Sequence, residues 1–182
     1  QYLPYPNIIL YPVLPSPLDN LSYYDNWPLE LMIHEYTHIL SMKPSHSFYT
    51  PLRWIFGNVI RPNAILPRWF LEGVAVEMET RFTAHGRLRN PETWATLRAL
   101  VQDDQLAKEN IATINQSNLP SYPFGRRPYL FGSLLWRHLI EKADLDIVDD
   151  LHQRYSRRLP FLLNAPLLEK IDRTYAQALE DL

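Results

Sequence analysis

Trp27-Pro28-Leu29-Glu30-Leu31-Met32-Ile33-His34-Glu35-Tyr36-Thr37-His38-Ile39-Leu40-Ser41-Met42-Lys43 is the stretch that decides how this chain is read. Its spacing predicts a helix over Trp27 to Lys43. Asp25 or Asn26 can cap that helix, and Pro28 is tolerated in its first turn, where an N–H has no partner to lose. Leu29, Met32, Ile33, Tyr36 and Leu40 recur at helical spacing and are expected to face the core. Inside the same stretch lies His34-Glu35-Tyr36-Thr37-His38. Residues four apart project from one helix face, one turn apart. His34 and His38 can therefore aim two imidazoles at one metal ion, with Glu35 placed to reach a water on it. A chain with 6 His in 182 residues would show this pattern by chance in about one shuffled copy in a hundred, so the context must decide.

Composition bounds the alternatives. A length of 182 residues fits one domain with a real core. Apolar residues make up 46% and charged residues 21%, as in ordinary globular proteins. A net charge of −2 implies no bulk attraction to nucleic acid. The absence of cysteine removes disulfides and thiolate metal sites. No apolar run approaches the roughly 18 residues that a membrane span needs. The chain begins with Gln1, which suggests a processed product or a domain of a longer protein.

Around the histidine helix, a coarse pattern emerges. Asn7-Ile8-Ile9-Leu10-Tyr11, bounded by Pro6 and Pro12, reads as a short edge strand. Residues 44–66 read as a long connection, in which Trp54, Ile55, Phe56, Val59 and Ile60 either form a short helix or pack over the first one. Pro67 opens a helix from Arg68 to about Phe82, with Trp69, Phe70, Val76 and Met78 as apolar surface. Gly73 inside that helix costs about 1 kcal/mol relative to Ala, which suggests close approach of another backbone. Asn90-Pro91 starts a helix expected to reach about Leu106. Residues 108–127 read as loop. Further helices are expected from about Pro128 to Lys142, around Ile147 to Tyr155, and from Pro166 through Leu179. The predicted fold class is mainly α with a small N-terminal β element.

A catalytic zinc usually has three protein ligands and one open position. Glu72, on the next strongly patterned helix, is the candidate third ligand. Its surroundings, Trp69-Phe70-Leu71-Glu72-Gly73-Val74-Ala75, read W-x-x-E-G-x-A. Glu79, two turns further on, either orients a ligand histidine or lies on a solvated face. His46, His85, His138 and His152 have no ligand spacing and read as surface or packed residues. Arg126 and Arg127 read as a solvated loop, with contact to a substrate carboxylate as the alternative.

H-E-x-x-H followed by W-x-x-E-G-x-A resembles the gluzincin metallopeptidases, which include thermolysin and the zinc aminopeptidases. In the aminopeptidase branch the Glu of E-G-x-A is the third zinc ligand, which corresponds to Glu72. That branch also carries P-Y-x-x-G, and Pro128-Tyr129-Leu130-Phe131-Gly132 matches it. The resemblance gives Tyr129 the role of stabilising a tetrahedral intermediate, with Tyr122 as its rival. Residues 7–142 also resemble bacterial gluzincin-like domains found ahead of β-propeller repeats in secreted or envelope proteins. Asp25-Asn26-Trp27, Leu66-Pro67-Arg68-Trp69, Arg81-Phe82-Thr83 and Gly86-Arg87-Leu88-Arg89 carry that likeness. No G-x-M-E-N element is present, so the exopeptidase's hold on a substrate N-terminus is not matched.

The resemblance implies a single zincin-like catalytic domain over 1–182, with the strand and active-site helices in 7–142 and a helical extension over 143–182. It implies one catalytic Zn2+ on His34, His38 and Glu72, Glu35 as general base, and Tyr129 as oxyanion donor. The substrate would be a peptide or protein, cleaved internally, with its strand paired to the edge strand near Ile8–Tyr11. The full protein would carry a C-terminal β-propeller and work in the bacterial periplasm, at the envelope or outside the cell. The alternatives are a non-catalytic gluzincin-like binding or assembly module and a zinc hydrolase of a non-peptide bond.

Overall fold

The computed structural model describes Ile8 and residues 26–47, 49–159 and 161–182. In chain order the helices are α1 (Trp27–Met42), α2 (Tyr49–Phe56), α3 (Arg68–Phe82), α4 (Pro91–Gln102), α5 (Ile111–Ile114), α6 (Arg127–Ala143), α7 (Ile147–Tyr155), α8 (Ala165–Ile171) and α9 (Tyr175–Glu180). Among the described residues there is no strand, and the chain is mainly α. The strand expected over Asn7–Tyr11 lies outside the described residues except for Ile8, which is in irregular backbone. Asp25 also lies outside them, and Asn26 caps α1 by accepting from the Leu29 N–H at 3.3 Å.

The centre is the crossing of α3 and α6. It is built on two glycines. A Cβ placed on Gly73 would stand 2.7 Å from Gly132 Cα, and one placed on Gly132 would stand 3.1 Å from Gly73 Cα. The expected close approach at Gly73 is therefore to α6. Around this contact Trp69, Phe70, Phe131, Leu135, Trp136 and Leu139 are buried. The Trp136 indole N–H donates to the Phe70 carbonyl at 2.8 Å, which satisfies the one polar atom of that ring.

The first helix corrects its expected orientation. Leu29, Met32, Tyr36 and Leu40 are 41–53% exposed, and of the expected stripe Ile33 packs against the core, partly buried. The buried residues are Glu30, His34, Thr37 and Ser41. That set is the predicted stripe displaced by one position, a rotation of about 100°. α1 turns its polar face to α3 because its partners there are carboxylates, and the amphipathic pattern could not show this. Asn63 then holds α1 to α7, its Nδ2 donating to the carbonyls of Ser41 at 2.8 Å and His152 at 3.0 Å.

Other boundaries moved for local reasons. α4 ends at Gln102 rather than near Leu106, and Asp104 follows with φ +50. The loop expected over 108–127 contains α5, started by an Asn110–Thr113 capping box. The helix expected from Pro166 through Leu179 is two helices. Asp172 at φ +54 stops α8, and the Thr174–Gln177 capping box starts α9. Trp54, Ile55, Phe56 and Val59 form α2 and the turn after it, and they do not pack over α1 but are exposed.

His152 is a packed residue, as expected. Its ring stacks on Trp136 at 5.9 Å, and its Nδ1–H donates to the Val148 carbonyl at 2.6 Å. Burial pushes its pKa down from 6.5 to about 4. The unfolded chain thus binds the proton more readily than the native one. The stability from this group is present above about pH 6.5 and is lost as pH falls through that value toward 4. His152→Gln is expected to remove about 2 kcal/mol of the stability lost between about pH 7 and pH 5, measured by urea unfolding at each pH. Gly73→Ala should lower unfolding free energy by about 3 kcal/mol in the same assay, because neither backbone can retreat.

Candidate metal centre

α1 and α3 bring three ligand atoms together. His34 Nε2 lies 3.3 Å from Glu72 Oε2, His38 Nε2 lies 3.3 Å from the same oxygen, and the two Nε2 atoms are 3.2 Å apart. His34, His38 and Glu72 form a group that can hold a metal ion. The two imidazoles meet edge to face with ring centroids 4.8 Å apart, as the i and i+4 spacing requires. Glu72 reaches them because it is the one residue of α3 from Trp69 to Thr80 that is not buried.

The other nitrogen of His34 decides what this cluster is. His34 Nδ1 lies 3.1 Å from Glu79 Oε2. A carboxylate only accepts, so the neutral ring with its proton on Nδ1 donates to Glu79 and presents a lone pair at Nε2, whereas the protonated ring donates to Glu79 and Glu72 together. In the neutral form that lone pair faces a carboxylate oxygen and a second imidazole nitrogen, and either a proton or a metal cation satisfies the converging acceptors. Burial lowers the basicity of His34, but the hydrogen bonds to Glu72 and Glu79 outweigh it and leave its pKa raised. Glu72 is desolvated, yet its contacts with His34 and His38 hold its carboxyl far below the usual range. The His38 Nδ1 is buried with no hydrogen-bond partner among the described residues. The two histidines are therefore held unequally.

Glu79 is buried, not solvated, and so takes the orienting reading. Its second oxygen is 2.9 Å from Arg87 Nε and accepts from the Arg87 backbone N–H at 3.3 Å. Arg87 follows a tight approach. A Cβ on Gly86 would overlap the Thr80 backbone, and the Leu88 N–H donates to Thr80 Oγ1 at 3.3 Å. The turn 87–89 is thereby pinned to α3 with its arginine directed at the site.

Tyr129 enters from the first turn of α6, one turn before Gly132, so the glycine contact that joins the helices also brings this ring to His34. The ring is 6.4 Å from the His34 ring and nearly parallel to it. The guanidinium carbons of Arg68 and Arg87 lie 5.6 Å and 5.4 Å from its centroid. Arg68 Nη2 donates to the phenol oxygen at 3.2 Å. Burial, then the charge of Glu72, raises the phenol pKa, so Tyr129 stays protonated. Its rival Tyr122 is 45% exposed and pairs with Thr96 at 2.6 Å, away from the ligand cluster.

A cleft of about 380 Å³ opens beside the triad, with His34, Glu35, Arg87, Arg126 and Tyr129 on its polar side. Glu35 is half-buried there. Leu31, Val76, Leu88 and Leu130 supply apolar wall. Arg127 is not a solvated residue; it is buried, 3.0 Å from Glu109, and it holds residues 109–122 to α6. Sequence reading assigned no role to Arg68 or Arg87. The first stands four residues before Glu72 on one helix face, a usable signal. The second reaches the site only through folding.

Comparison with protein-family models, with curated proteins and with solved structures finds no match.

Glu79→Gln keeps shape but offers a weaker acceptor to His34 Nδ1. It should weaken metal binding by about 10- to 100-fold in a competition titration with a chromophoric chelator, with secondary structure unchanged.

Proposed function

We infer that this chain is a zinc-dependent peptidase whose metal is held by His34, His38 and Glu72. The observation that carries this reading is the convergence of three ligand atoms, with the Glu79 carboxylate holding the far nitrogen of one ring. A tetrahedral zinc with bonds of about 2.0–2.1 Å separates its ligand atoms by about 3.3 Å. The separations here, 3.2, 3.3 and 3.3 Å, fit that ion. Three protein ligands leave an open position, which favours a catalytic site over a structural one, usually closed by four. The order of H-E-x-x-H, W-x-x-E-G-x-A and P-Y-x-x-G resembles gluzincins, and the spatial meeting of the three elements supports that resemblance.

When bound, zinc supplies Lewis acidity that favours ionisation of a water and polarises a carbonyl. The chain's own residues then do the rest. Glu35, half-buried on the cleft wall beside His34, accepts the proton of the attacking water and returns it to the leaving amine. Tyr129 receives a hydrogen bond from Arg68 at its oxygen, so its own O–H is left to donate to the carbonyl oxygen as charge develops there. Arg68 and Arg87 flank the ring and hold that donor in place. The apolar wall of the cleft takes a side chain of the substrate.

Metal content by mass spectrometry and hydrolysis of a quenched fluorescent peptide library test this together. The purified protein should carry about one zinc and lose cleavage with a chelator. Glu35→Gln should keep the zinc and lose about 10²- to 10⁴-fold in kcat. Tyr129→Phe should keep the zinc and lose on the order of 10²-fold. A protein that binds no zinc, or a Glu35→Gln variant as active as the parent, would overturn the reading.

A further inference from the structure

A second surface of this chain has chemistry of its own. α2 and the turn after it carry Trp54, Ile55, Phe56 and Val59 at 88%, 64%, 59% and 69% exposure. Exposed apolar residues in such a group mark an interaction site. Three of them are consecutive at the end of a helix. Residues at i, i+1 and i+2 point about 100° apart, so they ring the helix end instead of lining one face. A groove on a protein partner reads a stripe at i, i+3 and i+4. A ring of side chains all in solvent forms a protruding tip, and a tip suits a medium that can close around it. Gly57 turns the chain there with φ +70, and a Cβ at Gly57 would meet nothing within 4 Å.

Charge points the same way. From Tyr36 to Pro67 the chain has no acidic residue, while it carries Lys43, Arg53 and Arg61. Arg53 is fixed at the base of the tip by Asn58 Oδ1 at 2.8 Å and the Lys43 carbonyl at 3.0 Å. The Tyr49 phenol donates to the Arg158 carbonyl at 3.2 Å, which sets a second exposed apolar group beside the base of α2. That group is Leu159, Phe161 and Leu162, at 57%, 86% and 63% exposure, next to the exposed Arg157. No described helix is long and apolar enough to cross a membrane. We propose that the tip formed by Trp54, Ile55, Phe56 and Val59 inserts into the headgroup layer of an anionic lipid surface and docks the chain on it peripherally. Aromatic and aliphatic side chains sit at the interface, and the acid-free basic segment meets the anionic headgroups.

Trp54, Ile55, Phe56 and Val59 lie outside the His34–His38–Glu72 group and the cleft beside it, so the test is independent of peptidase activity. The full chain would be sedimented with vesicles of phosphatidylcholine alone and of phosphatidylcholine with about one-third phosphatidylglycerol. Binding to the anionic vesicles, weakened in about 0.5 M salt, is the expected result. The double variant Trp54→Ser with Phe56→Ser should lose on the order of a hundredfold in partitioning. Both side chains are exposed, so its thermal unfolding should match the parent. Absence of binding to anionic vesicles, or equal binding by the double variant, would overturn the proposal. So would a parent chain that ignores vesicles but self-associates through Trp54 and Phe56, since the tip would then be a protein-binding surface.

Discussion

The contact between Gly73 and Gly132 is the constraint on which the rest depends. Two helix backbones that touch without side chains between them have little freedom to slide or rotate. α3 carries Glu72 and Glu79, and α6 carries Tyr129 one turn from its glycine. Their closeness fixes the Glu72 carboxylate and the Tyr129 phenol with respect to each other. The aromatic core built from Trp69, Phe70, Trp136 and Tyr175 then locks the crossing. The site inherits its rigidity from this packing, which is the support a metal centre requires of its surroundings.

Against that frame, α1 makes an unusual choice. It buries Glu30, His34, Thr37 and Ser41 and leaves Leu29, Met32, Tyr36 and Leu40 more exposed. Burying polar groups is unfavourable unless each is paired. The pairing here is the Glu79–His34 bond, the Asn63 bond to the Ser41 carbonyl, and the convergence of His34 and His38 on Glu72. The polar interface between α1 and α3 is therefore the site itself. The outward apolar face and the apolar tip on α2 are both departures from a simple inside-out rule. Each places hydrophobic surface where a further surface can meet it.

The charges around the site are arranged in pairs of opposite sense. Glu79 holds His34 from behind and is itself held by Arg87. Arg68 lies 3.8 Å from Glu72 and donates to Tyr129. Each arginine thus ties a carboxylate beside His34 to the Tyr129 ring on the cleft wall. Buried carboxylates beside imidazoles would otherwise be costly, and the arginines offset that cost while remaining partly solvated. Arginine suits this role because its planar fork can serve two partners at once.

The sequence alone determined the helical class and singled out His34, His38 and Glu72, which the fold brings together as a group that can hold a metal ion. Two histidines four residues apart, a glutamate after a W-x-x motif, and caps such as Asn26, Asn90 and Pro67 act over a few residues, and short-range chemistry is legible without a fold. Gly73 announced a close approach for the same reason, since a glycine within a helix needs one. Its partner, Gly132, was decided by packing. Only the tertiary structure set the rotation of α1 about its axis, because a helix with both polar and apolar faces can turn either one inward when carboxylates wait on the other side. Only it brought Arg87 to Glu79 and Arg68 to Tyr129, contacts whose partners are far apart in the chain or compete with solvent. Local propensity chooses the elements, and long-range pairing of buried charge chooses which face of each element meets the next.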